Sequence, residues 1–236
     1  MQTYLTPTPL VDYLHPDIQQ LAKSKGWKQL APIAAAKQIY NFVRDEIAFG
    51  YSKNDQQTAS QVLTQGYGQC NTKGTLLVAL LRACEIPARV HGFKVKQQLK
   101  RGLLPAPLRL LAPKTIVHSW VEVWLDQHWV ELEGYIIDSA YLKQVQRHYP
   151  QQQEFIGFGI ATACLHSPDN QFSLTGSYIQ KLSICEDLGI FTTPDELYQR
   201  HHNLTALSAW AYAYLLRHWL NIRVRAIRRH GPTERQ

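Results

Sequence analysis

Two runs of β-branched and aromatic residues, Thr115–Leu125 and Trp129–Glu133, flank the short interruption Asp126-Gln127-His128, and this pattern restricts the fold more than any other. Such runs favour extended backbone, and so brief a break leaves room only for a tight reversal, so the two pair as an antiparallel hairpin. With Asp126 and Gln127 as the loop, position 125 faces 128, 120 faces 133 and 118 faces 135. His118, Trp120 and Glu133 then share one face, and His118 and Glu133 are diagonal neighbours. The same register opposes Glu122 to Glu131, a like-charge pair that counts against it. Asp138 has the other parity unless Gly134 breaks the strand, so both acids stay open as partners of His118.

The hairpin needs cover, and helical patterns elsewhere supply it. Ile33, Ala36, Ile39, Tyr40, Val43 and Ile47 recur at three- and four-residue steps, which predicts a helix over Pro32–Ile47. Thr58 with Gln61 is a capping box opening a short helix to Gln65. Gly66-Tyr67-Gly68-Gln69-Cys70 is a tight turn running into Asn71–Ala83, whose Leu76, Leu77, Leu80, Leu81 and Ala83 form an apolar face, so Cys70 sits at a helix N-terminus. Pro87 stops that helix, and Ala88–Val95 reads as a strand. Lys94–Lys114 is a long basic connection. Thr193-Pro194-Asp195-Glu196 fixes another helix start. From Leu204 to about Arg229 a long amphipathic helix is expected, with Leu207, Trp210, Ala211, Tyr214, Leu215, Trp219 and Ile222 on one side and packed on the rest of the protein. The fold class is therefore α+β, divided into an N-terminal lead (1–29), a core (30–148) and a C-terminal extension (149–236).

Composition narrows the function classes. The 236 residues carry 25 Lys plus Arg against 18 Asp plus Glu, a net charge of +7 that invites a nucleic-acid reading. Six bases and no acid lie in 94–114, and six Arg with one Glu in 217–235. Removing both leaves 13 bases against 17 acids, so a mildly acidic body carries two basic segments, and nucleic acid becomes a minor alternative. The four cysteines have neither metal-pair nor disulfide-framework spacing, which points to a reducing cytoplasm. The N-terminus lacks a secretory pattern, and the apolar stretch Asn203–Leu216 is too short for the roughly 20 residues of a membrane span, so no membrane partner is expected.

The chemistry centres on Cys70. Unpaired N–H groups and the dipole at a helix start favour a thiolate, and the N–H of the nucleophile itself faces a developing oxyanion. His118 is the candidate base, with Glu133 or Asp138 to orient it. Gln69 and Tyr67 are further candidates for oxyanion donors or for a conformational role. Trp120, like Trp124 and Trp129, is a groove or a sheet residue. Cys84, Cys164 and Cys185 read as core thiols, and His91 and His201-His202 as surface or core histidines; no metal or cofactor is expected.

Taken together, the Gly66–Cys70 turn, Leu80–Arg89 (LLRACEIPAR), His118-Ser119-Trp120 and Trp129–Glu133 resemble the transglutaminase-like superfamily over roughly residues 30 to 145. The resemblance implies a papain-like core with Cys70 as nucleophile, His118 as base and, fifteen residues on, Glu133 as the orienting acid. Asp is usual at that position, and Gly is usual where Glu85 stands. It also implies acyl transfer on an amide through a thioester, hydrolytic as in the compact members. An amine-accepting transferase and a degenerate binding module are the alternatives. Peptides, proteins or small amides are the substrate class. The basic connection, through Lys96, Lys100 and Arg101, is placed to select an acidic acyl group. Oligomeric state stays open.

Overall fold

In the computed structural model, which describes residues 1–105, 113–201 and 212–232, the N-terminal lead already holds a helix, α1 (Pro16–Ser24), that buries Ile18 and Ala22. α2 (Pro32–Asp45) buries Ala36, Ile39, Tyr40 and Val43 as the spacing predicts, while Ile33 at its start stays exposed. After strand β1 (Ala48–Phe49), the capping box opens α3 (Ala59–Gln65): Thr58 Oγ1 accepts from Gln61 N, and Gln61 Oε1 from Thr58 N, both at 3.2 Å. β2 (Tyr67–Gly68) pairs in parallel with β1 and leads into α4 (Cys70–Ala83). Every residue from Asn71 to Ala83 is buried, so α4 is a central helix covered on all sides.

Glu85, just beyond α4, sits at φ 60°, the left-handed conformation that costs an L side chain about 1–2 kcal/mol. Glu85→Gly is expected to stabilise the protein by about 0.5 kcal/mol once glycine's greater unfolded-state entropy is subtracted, raising the melting temperature by roughly 1–2 °C. A lower melting temperature in a thermal scan would contradict that.

β3 (Ala88–Lys96), β4 (Thr115–Leu125) and β5 (His128–Leu132) follow, then α5 (Ser139–His148), a small hairpin of β6 (Phe155–Gly157) and β7 (Ile160–Thr162), and β8 (Ile184–Phe191). The sheet runs β5-β4-β3-β8, antiparallel throughout. The hairpin register is the expected one: Leu125 faces His128 and Glu122 faces Glu131, with Asp126 and Gln127 at φ 47° and 65°, the positive values a two-residue loop uses. The acidic pair is relieved because Glu122 bonds Arg89 Nε at 2.6 Å and His91 Nδ1 at 3.0 Å, while Glu131 accepts from Tyr178 Oη. The strand ends at Leu132. A Cβ on Gly134 would lie 2.5 Å from Tyr40 Oη and 2.6 Å from Asn170 Cα, and the chain turns there into a 3-10 segment, Gly134–Ile136.

Val90, Val121, Val123 and Leu132 of the sheet share the main core with α4. Val95, Leu99 and Ala161, with Ile116, Ile156 and Ile184, form a second small cluster under the β6/β7 hairpin. Residues beyond 148 are thus integrated with the core: β8 is the edge strand next to β3.

α6 (Pro194–Arg200) starts as expected, with Thr193 Oγ1 accepting from Glu196 N at 3.2 Å. Residues 202–211 lie outside the described residues, so the expected helical start at Leu204, together with Leu207, Trp210 and Ala211, cannot be placed. A π-helical turn (Tyr212–Leu216) leads into α7 (Arg217–His230). The orientation of α7 departs from the sequence expectation. Tyr214, Leu215, Trp219 and Ile222 are 53%, 64%, 40% and 65% exposed, and Leu220, Asn221, Val224 and Ile227 face inward. Polar bonds account for the choice of face. Asn221 bonds both backbone groups of Tyr51, at 2.7 and 2.9 Å, and Arg228 Nη2 reaches Asp138 Oδ2 at 2.6 Å and Phe49 O at 2.8 Å.

Arg223 Nε also donates to Gly102 O at 3.4 Å, so the two basic segments, far apart in sequence, meet in space. Among the described residues no helix is long and apolar enough to cross a membrane.

Candidate active site

Cys70 is the first residue of α4, so its N–H lies outside the helical ladder. The approach is fixed from both sides. Ala48 N donates to Gly66 O and Gly50 N to Gly68 O, both at 3.0 Å, and Gln69 N donates to Thr72 Oγ1 at 3.2 Å. The half-buried Cys70 thiol contacts Asn71 Oδ1 at 3.5 Å, and Tyr135 Oη donates to Cys70 O at 3.2 Å.

Asn71 joins this helix start to β4. Its Nδ2 donates to Val117 O at 3.2 Å, and its Oδ1 accepts from Ser119 Oγ at 3.0 Å, so it holds the residues on either side of His118. Nothing in the sequence marked Asn71 beyond its adjacency to Cys70.

His118 and Glu133 are both 0% exposed, and His118 Nε2 lies 2.7 Å from Glu133 Oε1. The second carboxylate oxygen accepts from Ile179 N and Gln180 N, each at 2.8 Å. Glu133 is thereby fully engaged, one oxygen by the imidazole and one by two backbone donors. Glu133 lies one residue past the end of β5, and its own N–H donates to Ser177 O at 2.8 Å. The two donors come from a segment with no recognisable pattern, and backbone groups leave no mark in a sequence.

His118 Nδ1 is buried without a hydrogen bond of ordinary geometry. Burial alone would lower the pKa of this imidazole, but the charge of the Cys70 sulfur and the Glu133 carboxylate outweigh it and raise the value to about 10. The raised value favours the imidazolium form of His118 at neutral pH.

Asp138 is committed elsewhere. It caps α5 through Tyr141 N at 2.9 Å, accepts from Phe49 N at 2.8 Å, and pairs with Arg228, whose charge and hydrogen bond hold its carboxyl below the usual range against the opposing effect of burial. Gln69 also spends its side chain structurally, accepting from Ser52 N at 2.7 Å and donating to Asp55 Oδ1 at 3.1 Å. Tyr67 lies in β2 against Gly50. Trp120 is buried within 4.2 Å of Phe93, ring to ring, and lies under Lys181 Nζ.

Lys96 and Arg101 are exposed and Lys100 is partly buried on the connection after β3. Beneath the site, Lys73 is fully buried with Nζ donating to Arg44 O at 3.1 Å and Ile136 O at 3.0 Å, and burial pulls its pKa down to about 7. Nothing in the residue pattern distinguishes Lys73, since it occupies an ordinary helical position.

Of the remaining cysteines, Cys84 and Cys164 are half-buried and Cys185 is exposed, which corrects the core-thiol reading for Cys185. His91 bridges Glu122 and Asp187, at 3.0 and 2.8 Å, and His201 packs against Phe191; His202 lies outside the described residues. Among the described residues no group of three His, Cys, Asp or Glu is arranged to hold a metal.

The family model described as the transglutaminase-like superfamily matches residues 19–134. A solved structure, the "Putative Cysteine Protease from Cytophaga hutchinsonii", is similar at 16% identity with a TM-score of 0.44. The similarity covers 82% of this chain and 47% of that one, so the chain spans about half the length of that protein. No curated protein matches the chain.

Proposed function

We propose that this chain, whose residues 19–134 match the family model of the transglutaminase-like superfamily and whose fold is α+β, is a cysteine-dependent acyl-transfer enzyme that hydrolyses amide bonds through a thioester at Cys70. The observation that carries this reading is the buried His118–Glu133 pair, tied by Asn71 to the helix start that presents Cys70.

The Cys70 sulfur attacks the carbonyl carbon, the C–O π pair moves onto oxygen, and the Cys70 N–H is placed to donate to that oxyanion. Collapse of the tetrahedral adduct expels the amine, which takes the proton from imidazolium His118 and leaves a thioester. Neutral His118 then removes a proton from water, which attacks the thioester carbonyl. The acid is released, sulfur leaves as thiolate and His118 is again imidazolium. Glu133 keeps the ring in place and stabilises its cationic form throughout. Asn71 is a positioning residue for both partners.

Water is the acceptor in this reading because Cys70 is half-buried at the surface rather than sealed off. Competition tests that assignment: with a peptide amide substrate, the free acid is expected as the main product even with millimolar primary amine present. Dominant amide exchange would make the protein a transferase instead.

The imidazolium also sets a pH limit. As pH rises through about 10, His118 loses the proton it gives to the leaving amine, so kcat/KM is expected to fall on that limb. Stability moves in the same direction. The folded-state pKa lies above the unfolded value of about 6.5, so the ion pair's contribution is complete below about pH 6.5 and is lost as pH rises towards 10. A stopped-time pH profile that stays flat to pH 11 would contradict the assignment.

A further inference from the structure

Two segments converge on the C-terminal helix, one of them bonded to the residue before Cys70. One is the segment after β1, where Ser52 and Asp55 are bonded to Gln69, and Tyr212 Oη donates to Ser52 O at 3.2 Å. The other is the turn after β3. There Gly159 N donates to Leu99 O at 2.8 Å, Phe158 N to Arg101 O at 2.7 Å, and Leu103 N and Leu104 N both to Lys100 O at 3.0 Å. The C-terminal helix braces both, through Asn221 on Tyr51 and Arg223 on Gly102. These bonds fix the backbone that carries Lys100.

Lys100 has the surroundings of a ligand-binding cation. Its ammonium makes no hydrogen bond or ion pair among the described residues, although the side chain is partly buried. The groups whose charge bears on it are Asp55, which accepts from Gln69 Nε2, and Cys70, the residue that follows Gln69. Burial pulls its pKa below the ordinary lysine range, and the charge interactions with Asp55 and Cys70 oppose that. Structural lysines in this protein are satisfied differently: Lys73 donates to two carbonyls and Lys94 pairs with Glu186. Arg101 and Lys96 add exposed positive charge beside it.

We propose that Lys100 is the specificity residue of the site and binds a carboxylate on the acyl donor, so that the preferred substrate is an acidic peptide or amide whose anionic group lies next to the scissile carbonyl. The proposal rests on Cys70 being the nucleophile. A positive group here adds attraction for an anionic substrate that a neutral one does not receive.

Two alkylating probes of similar size and different charge test it on the intact protein. Iodoacetate carries a carboxylate and iodoacetamide does not, and peptide-resolved mass spectrometry reads labelling at Cys70 separately from the exposed Cys185. The iodoacetate-to-iodoacetamide rate ratio at Cys70 is expected to exceed that of free glutathione by about tenfold. Lys100→Gln should bring it down to the glutathione value, while Lys100→Arg should keep it high. A lysine that merely stabilised the thiolate would change both rates equally and leave the ratio fixed.

A wild-type ratio equal to that of glutathione overturns the proposal even if no variant folds. So does an elevated ratio that Lys100→Gln leaves intact. If neither reagent labels Cys70 faster than glutathione, the nucleophile reading itself falls and takes this proposal with it, an outcome distinct from a reactive Cys70 with no charge preference.

Discussion

Replacing Cys70 by alanine is expected to reduce amide turnover by at least ~10⁴-fold while leaving the melting temperature within a few degrees of wild type. The sulfur is the atom that forms the covalent bond, and no neighbouring group replaces it: Asn71, Thr72 and Ser119 are each engaged in hydrogen bonds that hold the site together. Stability changes little because the side chain is half-buried and makes one weak contact, to Asn71 Oδ1 at 3.5 Å. The substitution also removes one of the two charges that raise the His118 pKa, so an NMR titration of the imidazole should show a lower value in Cys70→Ala than in wild type. Retained turnover, or an unmoved titration, would mean that Cys70 and His118 do not act together.

The second large effect is expected at Glu133, where stability and activity separate. Glu133→Ala leaves His118 Nε2 and the N–H groups of Ile179 and Gln180 buried without acceptors, a loss of about 3–5 kcal/mol measured by denaturant unfolding. Glu133→Gln keeps the shape and an oxygen for the two backbone donors, so it should cost far less stability. Its amide nevertheless presents N–H where His118 needs an acceptor, or turns an oxygen there and abandons the backbone donors. Loss of the negative charge also weakens the imidazolium. Glu133→Gln is expected to lower kcat by about 10²–10⁴-fold with little change in KM. Glu133→Asp, one methylene shorter, should fall between wild type and Gln, because it keeps the charge but reaches one set of partners at the expense of the other. Full activity in Glu133→Gln would remove Glu133 from the mechanism.

Much of this arrangement was legible in the sequence because it depends on side-chain periodicity and chain reversal. Two residues between β-branched runs specify the hairpin, and the hairpin brings His118 and Glu133 within reach of each other. The strand was expected to carry Glu133 on its ladder; it ends at Leu132 and the chain turns into the 3-10 segment at Gly134, yet the acid still arrives beside the histidine. The glutamate in place of the usual aspartate also acquires a physical reason. Its carboxylate spans from His118 to the backbone of Ile179 and Gln180, a segment beyond the matched family region, so residues after 148 complete the site.

What the sequence did not disclose depends on partners that carry no local signature. Backbone donors at 179 and 180 are invisible to a motif. The face of α7 was misjudged because hydrophobicity alone favours burying Tyr214, Leu215, Trp219 and Ile222. The inward face instead uses Asn221 and Arg228, whose hydrogen bonds to Tyr51, Phe49 and Asp138 require tertiary partners 90 to 179 residues away to be known. Asp138 illustrates the same limit. As a carboxylate near the strand end it was a fair rival to Glu133, and only its commitment to Arg228, Phe49 and Tyr141 sets it apart.

The basic segments gained a location rather than a new meaning. Arg223 and Gly102 bring them together, and the proposal at Lys100 assigns this local excess of positive charge a role in choosing substrate.

The most direct test of the central claim is to trap the thioester. Wild-type protein mixed with an acidic peptide-amide library, quenched in acid within the first turnovers and weighed intact, should carry one acyl group on Cys70 that hydroxylamine removes, and Cys70→Ala should carry none. Turnover with no adduct on Cys70, or an adduct that forms equally on Cys70→Ala, would contradict the account.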